Sequence, residues 1–559
     1  MKVEQNFKTS NIAQIQKRND FKGFKAKQNT PSAPTFTGGP AEVLRFLDTN
    51  QAWGAVAVDL FCMVLPRTLT DFSRGSDAGV ETMRREGMGT TNHSLVGAYG
   101  ALAGAALAAG INGMYQLKDG VKANHIFADS ETLEMQGKIW DARLKAAANT
   151  PSANPLREWL TESLNRYEVL VDGKWGNKFT PEDIEETANI LEKEIRSNSG
   201  KISKESLTNA KNRLVSSYGV ENNIRIIADE GQKAHTSRYS VDYIIENTYK
   251  LGKVFSKEKV KEAFLNSKDI AENAFLKSLK SMNIKRSLIG IGIASAVGMS
   301  AQPLNMYLTK KKTGSDSFVG GGKKDDSAGF KFRKSLVAGL FGAGVLATIG
   351  NPKNLIKDLQ FKGFSPTIKQ FKFIYGITIM SRFLSSRNNN ELAECSIKDT
   401  LGFANWLILG NFVQKLVAQG LDPSLIKREG KGVMNWITKS GLKTRDEVLH
   451  SALGKKVFKD GKALNYSEMV KLADSATKKK LGILTIAQIV GYAYSGIVLG
   501  RGIPKLNIYL TNRREARKAA LDAKEKQASN VQPKDNMLAP ENIEFLNQKN
   551  FTGMKMLNK

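Results

Sequence analysis

The feature that most constrains this chain is a set of long apolar runs without charge, most of them closed at both ends by lysine or arginine. Leu95 to Leu117 carries no charged residue over 23 positions, Ser287 to Leu308 none over 22, Ser335 to Pro352 none over 18, and Leu481 to Gly500 none over 20. Thr400 to Leu421 is interrupted only by Lys415. At about 1.5 Å of rise per residue, such runs cover a ~30 Å hydrocarbon core. A soluble core helix of that length carries charge on its outer face, and these do not. The pattern predicts an all-α, multi-pass membrane protein with about four or five spans, a helical extramembrane domain and disordered polar tails.

The runs divide the chain. Residues 1–40 are polar and poor in aliphatic side chains, which predicts a disordered tail. Residues 41–117 read as a membrane-associated helix plus the first span. Within them, Ala52 to Leu65 holds about a dozen apolar residues, interrupted by Asp59 and stopped by Pro66-Arg67. That is short for a span and predicts a buried or interfacial helix. Residues 118–285 are charged and helical in pattern; Thr180-Pro181-Glu182-Asp183 is a helix start with an N-cap, a first-turn proline and first-turn acid. They form the predicted extramembrane domain. Membrane helices follow over 286–421, with Phe373 to Ser381 long enough only for a half-span or a buried helix. A polar helical loop over 422–480, a last span over 481–510, and a basic helix with a polar tail over 511–559 complete the reading.

Two of the runs end alike. Leu304-Asn305-Met306-Tyr307-Leu308-Thr309 precedes three lysines, and Leu506-Asn507-Ile508-Tyr509-Leu510-Thr511 precedes Asn512 and two arginines. The match points to internal duplication, and a tyrosine ahead of a basic cluster suits a membrane interface. If the copies share an orientation, an odd number of crossings separates them; an even number makes them inverted. A weaker version, Asn112 to Leu117, ends the first run.

Candidate functional residues follow from cost and spacing. Asp59 and Lys415 lie inside apolar runs, where an ionisable group costs at least ~2.5–3.5 kcal/mol unless it faces protein or water. Gly100 and Gly104 belong to small-x-x-x-small rows that let helices approach closely, within one chain or between copies. Asn305, Tyr307, Asn507 and Tyr509 mark the repeated span end. Asp71, Arg74, Asp77, Glu81, Arg84 and Arg85 form a mixed-charge patch that reads as a solvated face. Phe-x-Gly pieces in both polar tails (Phe21 to Gly23, Phe36 to Gly38, Phe551 to Gly553) and one in mid-chain (Phe361-Lys362-Gly363-Phe364) suggest a docking peptide.

No catalytic, cofactor or metal motif is present. The glycine-rich stretch from Gly314 to Lys324 lacks the first glycine and the final Ser or Thr of a phosphate loop. Asp172-Gly173-Lys174 and Asp460-Gly461-Lys462 resemble calcium loops only superficially, because Lys456 and Phe458 stand where hard-cation ligands are needed. The two cysteines, Cys62 and Cys395, are far apart, and the four histidines are scattered.

Composition alone points elsewhere. A net charge of +29 with mean hydropathy −0.32 describes a soluble basic protein. The positive charge is spread along the chain and gathers at run ends, which favours anionic lipid headgroups over nucleic acid as a partner. The N-terminal segment has no apolar core, so insertion is expected to use internal segments rather than a cleaved signal peptide. The expected function is a structural, scaffold or transport component without catalysis. Two alternatives stay open on sequence: a secreted pore-former or translocator that inserts later, and a basic nucleic-acid-associated protein.

Overall fold

Helices dominate the structure, a computed structural model that describes residues 40–49, 51–73, 75–150, 152–197, 200–227, 237–314, 324–350, 352–409, 411–438 and 440–530. The Phe-x-Gly pieces of both tails and most of the Gly314 to Lys324 loop lie outside these residues. Five helices are long and apolar enough to cross a membrane: Ala52–Phe72, Ser76–Met114, Ala274–Lys312, Ala328–Ile349 and Ser475–Gln527. From Leu44 onward the chain forms one unit.

The long helices alternate in direction. Ala52–Phe72 lies antiparallel to Ser76–Met114, since Asp59 meets Thr90 and Asp71 meets Thr82. Ala274–Lys312 is likewise antiparallel to Ser76–Met114, with Asn92 donating to the carbonyl of Ala294 and Arg84 to the hydroxyl of Thr309. Ser475–Gln527 runs parallel to Ala52–Phe72: the Cys62 thiol reaches the Tyr492 carbonyl and the Arg67 guanidinium the Leu499 carbonyl. The two Leu-Asn-x-Tyr-Leu-Thr copies therefore point the same way. Between them the chain passes through the bundle three times, along Ala328–Ile349, back along Ile368–Leu384, and along Asn389–Leu421.

Three boundaries differ from the sequence expectation. Pro66 does not stop its helix. A wider π-type turn over Asp59–Val64 precedes it, and the helix continues to Phe72. Proline deletes the hydrogen bond to the carbonyl four residues back, that of Cys62, and the wider turn absorbs this loss. Thr400 to Leu421, read as one span, is broken: a π-type turn over Ala404–Ile408 ends one helix and Phe412–Leu421 begins another, so this run is not among the five. The last turns of the Leu95 to Leu117 run are buried in the core of the 118–285 section, where Ala108, Tyr115 and Leu117 join Trp140, Phe255 and Phe275.

The 118–285 section is not purely helical. It contains a four-stranded antiparallel sheet built from Tyr167–Val171, Lys174–Lys178, Asn222–Ile226 and Tyr239–Ser240, with the second strand at one edge and the fourth at the other. Asp172 and Gly173 sit at φ 48° and 78°, the left-handed pair that a two-residue hairpin turn requires. Asp460 and Gly461 repeat this at φ 52° and 75°, joining Phe458–Lys459 to Lys462–Ala463. Asp-Gly is thus a hairpin signal at both places. The strands were unreadable as such because they are short and, in Lys174–Lys178, charged and half exposed.

Each hairpin lies between two capped helices. Pro155–Asn165 precedes the first, and Pro181–Arg196, capped by Thr180, follows it. Arg445–Leu453, capped by Thr444, precedes the second, and Tyr466–Leu472, capped by Asn465, follows it. The preceding helices share Glu-x-Leu-x-x-x-Leu: Glu158, Leu160 and Leu164 match Glu447, Leu449 and Leu453, and all four leucines are buried. A helix–hairpin–helix unit thus occurs in each polar section ahead of a long helix ending in Leu-Asn-x-Tyr-Leu-Thr, the second leading directly into its long helix and the first separated from Ala274 by further helices and strands.

Candidate functional site: a charged chamber among the apolar helices

All five long helices are apolar outside, and four of them, all but Ala328–Ile349, are polar inside. Outward lie Phe61, Leu65 and Leu69 of the first, Leu95 and Leu102 of the second, and Ile289 and Ile293 of the third. Phe332, Leu336 and Leu340 continue this surface on the fourth, as do Ile486, Ile489 and Ile497 on the fifth. Inward and buried lie Asp59, Arg67, Glu81, Glu86, Asn92, His93, Arg286, Asn305 and Asn507. Buried polar groups and large exposed apolar surface are the two informative departures from a soluble fold, and here they occur together.

At the end of the bundle where Phe72 and Ser76 face each other, four of these helices and two shorter ones line a chamber of about 150 Å³. Arg67 and Asp71 reach it from the first helix, Glu81, Thr82 and Arg85 from the second, and Gln302 from the third. Arg382 arrives from Ile368–Leu384, and Glu391, Glu394, Cys395, Lys398 and Asp399 from Asn389–Phe403. Asn507, Thr511 and Glu515 close it from the last helix. The mixed-charge patch read as a solvated face is split: Asp71, Glu81 and Arg85 face the chamber, while exposed Asp77 pairs with Lys312 at 2.7 Å.

The inner wall is an ionic cluster centred on Glu86. Its carboxylate has Arg382 at 3.2 Å, Arg85 at 3.3 Å, Lys398 at 3.4 Å and Arg67 at 3.6 Å. Asp399 takes the other side of Arg382 at 3.1 Å. Four cations thus face two carboxylates. The Arg67 side chain donates through Nε to the Leu499 carbonyl, but Nη1 and Nη2 have no hydrogen-bond partner among the described residues. Farther along the same helices the wall becomes one of acceptors. Gln302 Oε1, Asn507 Oδ1 and Thr511 Oγ1 are buried without partners among the described residues, and Glu81, 4% exposed, makes no hydrogen bond there.

The remaining sequence candidates have other surroundings. Asp59 is buried and accepts from Thr90 at 2.6 Å. Lys415 is buried and donates to the carbonyls of Trp436, Ile437 and Ser440 at 3.0, 2.8 and 3.1 Å, where it holds the C-terminal end of the short helix Val433–Thr438. Gly100 packs against Gly290, whose side-chain position would lie 2.9 Å from the Gly100 Cα, and Gly104 faces Arg286. The mid-chain Phe361-Lys362-Gly363-Phe364 closes over this crossing: Phe361 is buried with Val96 and Ile291, and the Phe364 carbonyl lies over Gly97.

Sequence reasoning missed the chamber because its residues come from separate segments, each of which reads as an ordinary charged flank. The one usable signal was the charge density of Glu391 to Asp399 between two apolar runs. Among the described residues no group of three or more His, Cys, Asp or Glu side chains is placed to hold a metal ion, and both cysteines are free thiols. Comparison with family models, curated proteins and solved structures found no match.

Proposed function

We propose that this chain is an integral membrane protein whose helices cross the bilayer seven times and enclose a chamber for a small polar solute, as a component of solute transport rather than an enzyme. One observation carries the reading: the five long helices turn large apolar side chains outward, and four of them, all but Ala328–Ile349, bury charged or amide side chains inside the bundle. Lipid makes this arrangement favourable, because it solvates the outer faces and leaves ionisable groups only the bundle interior. The seven passes are the five long helices plus Ile368–Leu384 and Asn389–Leu421, which are more polar and more enclosed.

This topology puts residues 115–273 and 422–474 on one face, where Lys455 pairs with Glu182 and Lys427 with Glu447. The opposite face carries the basic helix ends at Lys310, Lys311, Lys312, Arg333 and Lys334, and the basic helix after Thr511. With basic residues gathered at these helix ends, that second face is assigned to the cytosol, where its cations meet anionic headgroups. Alkaline carbonate extraction of membranes tests the reading: the protein is expected to stay in the membrane pellet, and release into the supernatant would contradict it.

A further inference from the structure

The chamber has two chemically opposite ends, and they define a ligand class. At the inner end, four cations share Glu86 and Asp399, and the Arg67 Nη1 and Nη2 groups are buried without hydrogen-bond partners among the described residues. Nη1 lies 3.6 Å from the Glu86 carboxylate, too far for a hydrogen bond, and a planar guanidinium so placed suits a second carboxylate bidentately. At the outer end, Gln302 Oε1, Asn507 Oδ1 and Thr511 Oγ1 are buried without hydrogen-bond partners among the described residues, and the Glu81 carboxylate lines the same wall with Arg85 nearby. A primary ammonium, with three donors and no acceptor, suits that wall. Glu81 lies five residues beyond Glu86 on one helix and Asn507 eight beyond Leu499 on another, so at ~1.5 Å per residue the ends are about two helical turns apart.

We propose that the chamber binds an extended small zwitterion, with its carboxylate at Arg67 and its primary ammonium between Glu81, Gln302 and Asn507. This rests on the solute-chamber reading above and adds the solute's chemistry to it. Orphaned buried polar atoms are costly, and such a ligand satisfies both sets at once. A one-headed anion would leave the acceptor wall empty, and a one-headed amine would leave Arg67 Nη1 and Nη2 without a hydrogen bond.

Cys395 lines the chamber and supplies a built-in probe. In purified full-length protein carrying Cys62→Ser, the rate of maleimide labelling at Cys395 is measured with 6-aminohexanoate, hexanoate or hexylamine present. The zwitterion is expected to slow labelling at concentrations at least about tenfold lower than either one-headed compound. Glu81→Gln, which removes a carboxylate without a hydrogen bond, is expected to weaken protection by 6-aminohexanoate about tenfold while leaving protection by hexanoate unchanged. Equal protection by hexanoate and 6-aminohexanoate would overturn the two-ended site, as would labelling that no compound slows. Carbonate extraction of the same preparation's membranes is scored separately. Release there would fail the membrane reading, whereas retention without protection would fail the zwitterion alone.

Discussion

Asn305 and Asn507, 202 positions apart, occupy the same place on two parallel helices. Asn305 is 0% and Asn507 1% exposed, the leucines before them are both 44% exposed, and Tyr307 and Tyr509 are both 60% exposed. The weaker third version shares none of this, because Tyr115 is buried against Phe275 with ring centroids 4.7 Å apart. The repeated pattern is thus a buried amide with an outward tyrosine two positions on. Both side-chain atoms of Asn305 lack hydrogen-bond partners among the described residues. Asn305→Leu, which keeps the branching at Cγ but is larger, is expected to leave the thermal midpoint unchanged or raise it, because removing an unsatisfied buried amide, about 1–3 kcal/mol, offsets the overpacking. A clear fall in the midpoint would mean that the amide is satisfied in the working protein. Tyr307→Ala and Tyr509→Ala are expected to change folding stability by no more than about 0.5 kcal/mol.

Glu86 holds the inner wall together against like-charge repulsion. Glu86→Gln leaves Arg67, Arg85, Arg382 and Lys398 with Asp399 as their remaining carboxylate in the cluster. Breaking one side of a buried ionic cluster costs about 3–5 kcal/mol. Denaturant unfolding of the purified chain is expected to show that loss, and Glu86→Gln combined with Lys398→Met is expected to recover part of it. Equal stability of Glu86→Gln and wild type would show that the cluster is open to water.

The glycine rows on Ser76–Met114 differ in what they meet. A methyl group at Gly97 would overlap the Phe364 carbonyl, whereas nothing lies within 4 Å of one at Gly110. Gly97→Ala is therefore expected to destabilise by roughly 1–3 kcal/mol. Gly110→Ala is expected to be neutral or to stabilise by up to about 1 kcal/mol through helix propensity. Thermal unfolding of both variants in one detergent checks the contrast.

Two groups outside the long helices titrate with opposite effect. Burial pushes His450 down to about 4, with Lys211 and Arg45 adding to the effect and Asp446 and Glu447 opposing it. The folded protein then binds fewer protons than the unfolded chain, so this contribution to stability is lost as pH falls from about 6.5 to 4, on the order of 3 kcal/mol in full. Glu221 is pushed up, chiefly by burial and further by Asp446 and Asp242, against the pull of Lys211. The folded protein holds its proton longer, so stability falls as pH rises above the usual carboxylate range. The two limbs oppose each other in the wild type. Glu221→Gln is expected to show stability rising with pH up to about 6.5, and His450→Gln to show it falling toward neutral pH. Unfolding midpoints between pH 4 and 8 check both slopes; parallel profiles for the two variants would contradict the assignment.

Much of the bundle was legible because a long uncharged run such as Leu481 to Gly500 leaves an unbroken signature, and the helix that carries it is long and apolar enough to cross a membrane. Pro66 misled because its effect depends on the turn before it, and Thr400 to Leu421 because a π-type turn breaks a helix without a local sequence mark. The hairpins at Asp172-Gly173 and Asp460-Gly461 carried a readable turn signal, yet their strands are held by tertiary pairing rather than by alternation. The chamber was illegible for a deeper reason. Arg67, Glu86, Arg382 and Asp399 span more than 300 positions, and only the packing of four helices makes them neighbours.

The central claim is that the two sections carrying the hairpins share one side of a membrane while the repeated basic span ends emerge on the other. Reporter fusions placed after residues 200, 314, 450 and 530 test it most directly, each reporter being active on only one side. The fusions at 200 and 450 are expected to report the non-cytosolic side, and those at 314 and 530 the cytosol. Signals at 200 and 314 from the same side would mean that Ala274–Lys312 does not cross, and the account would fail.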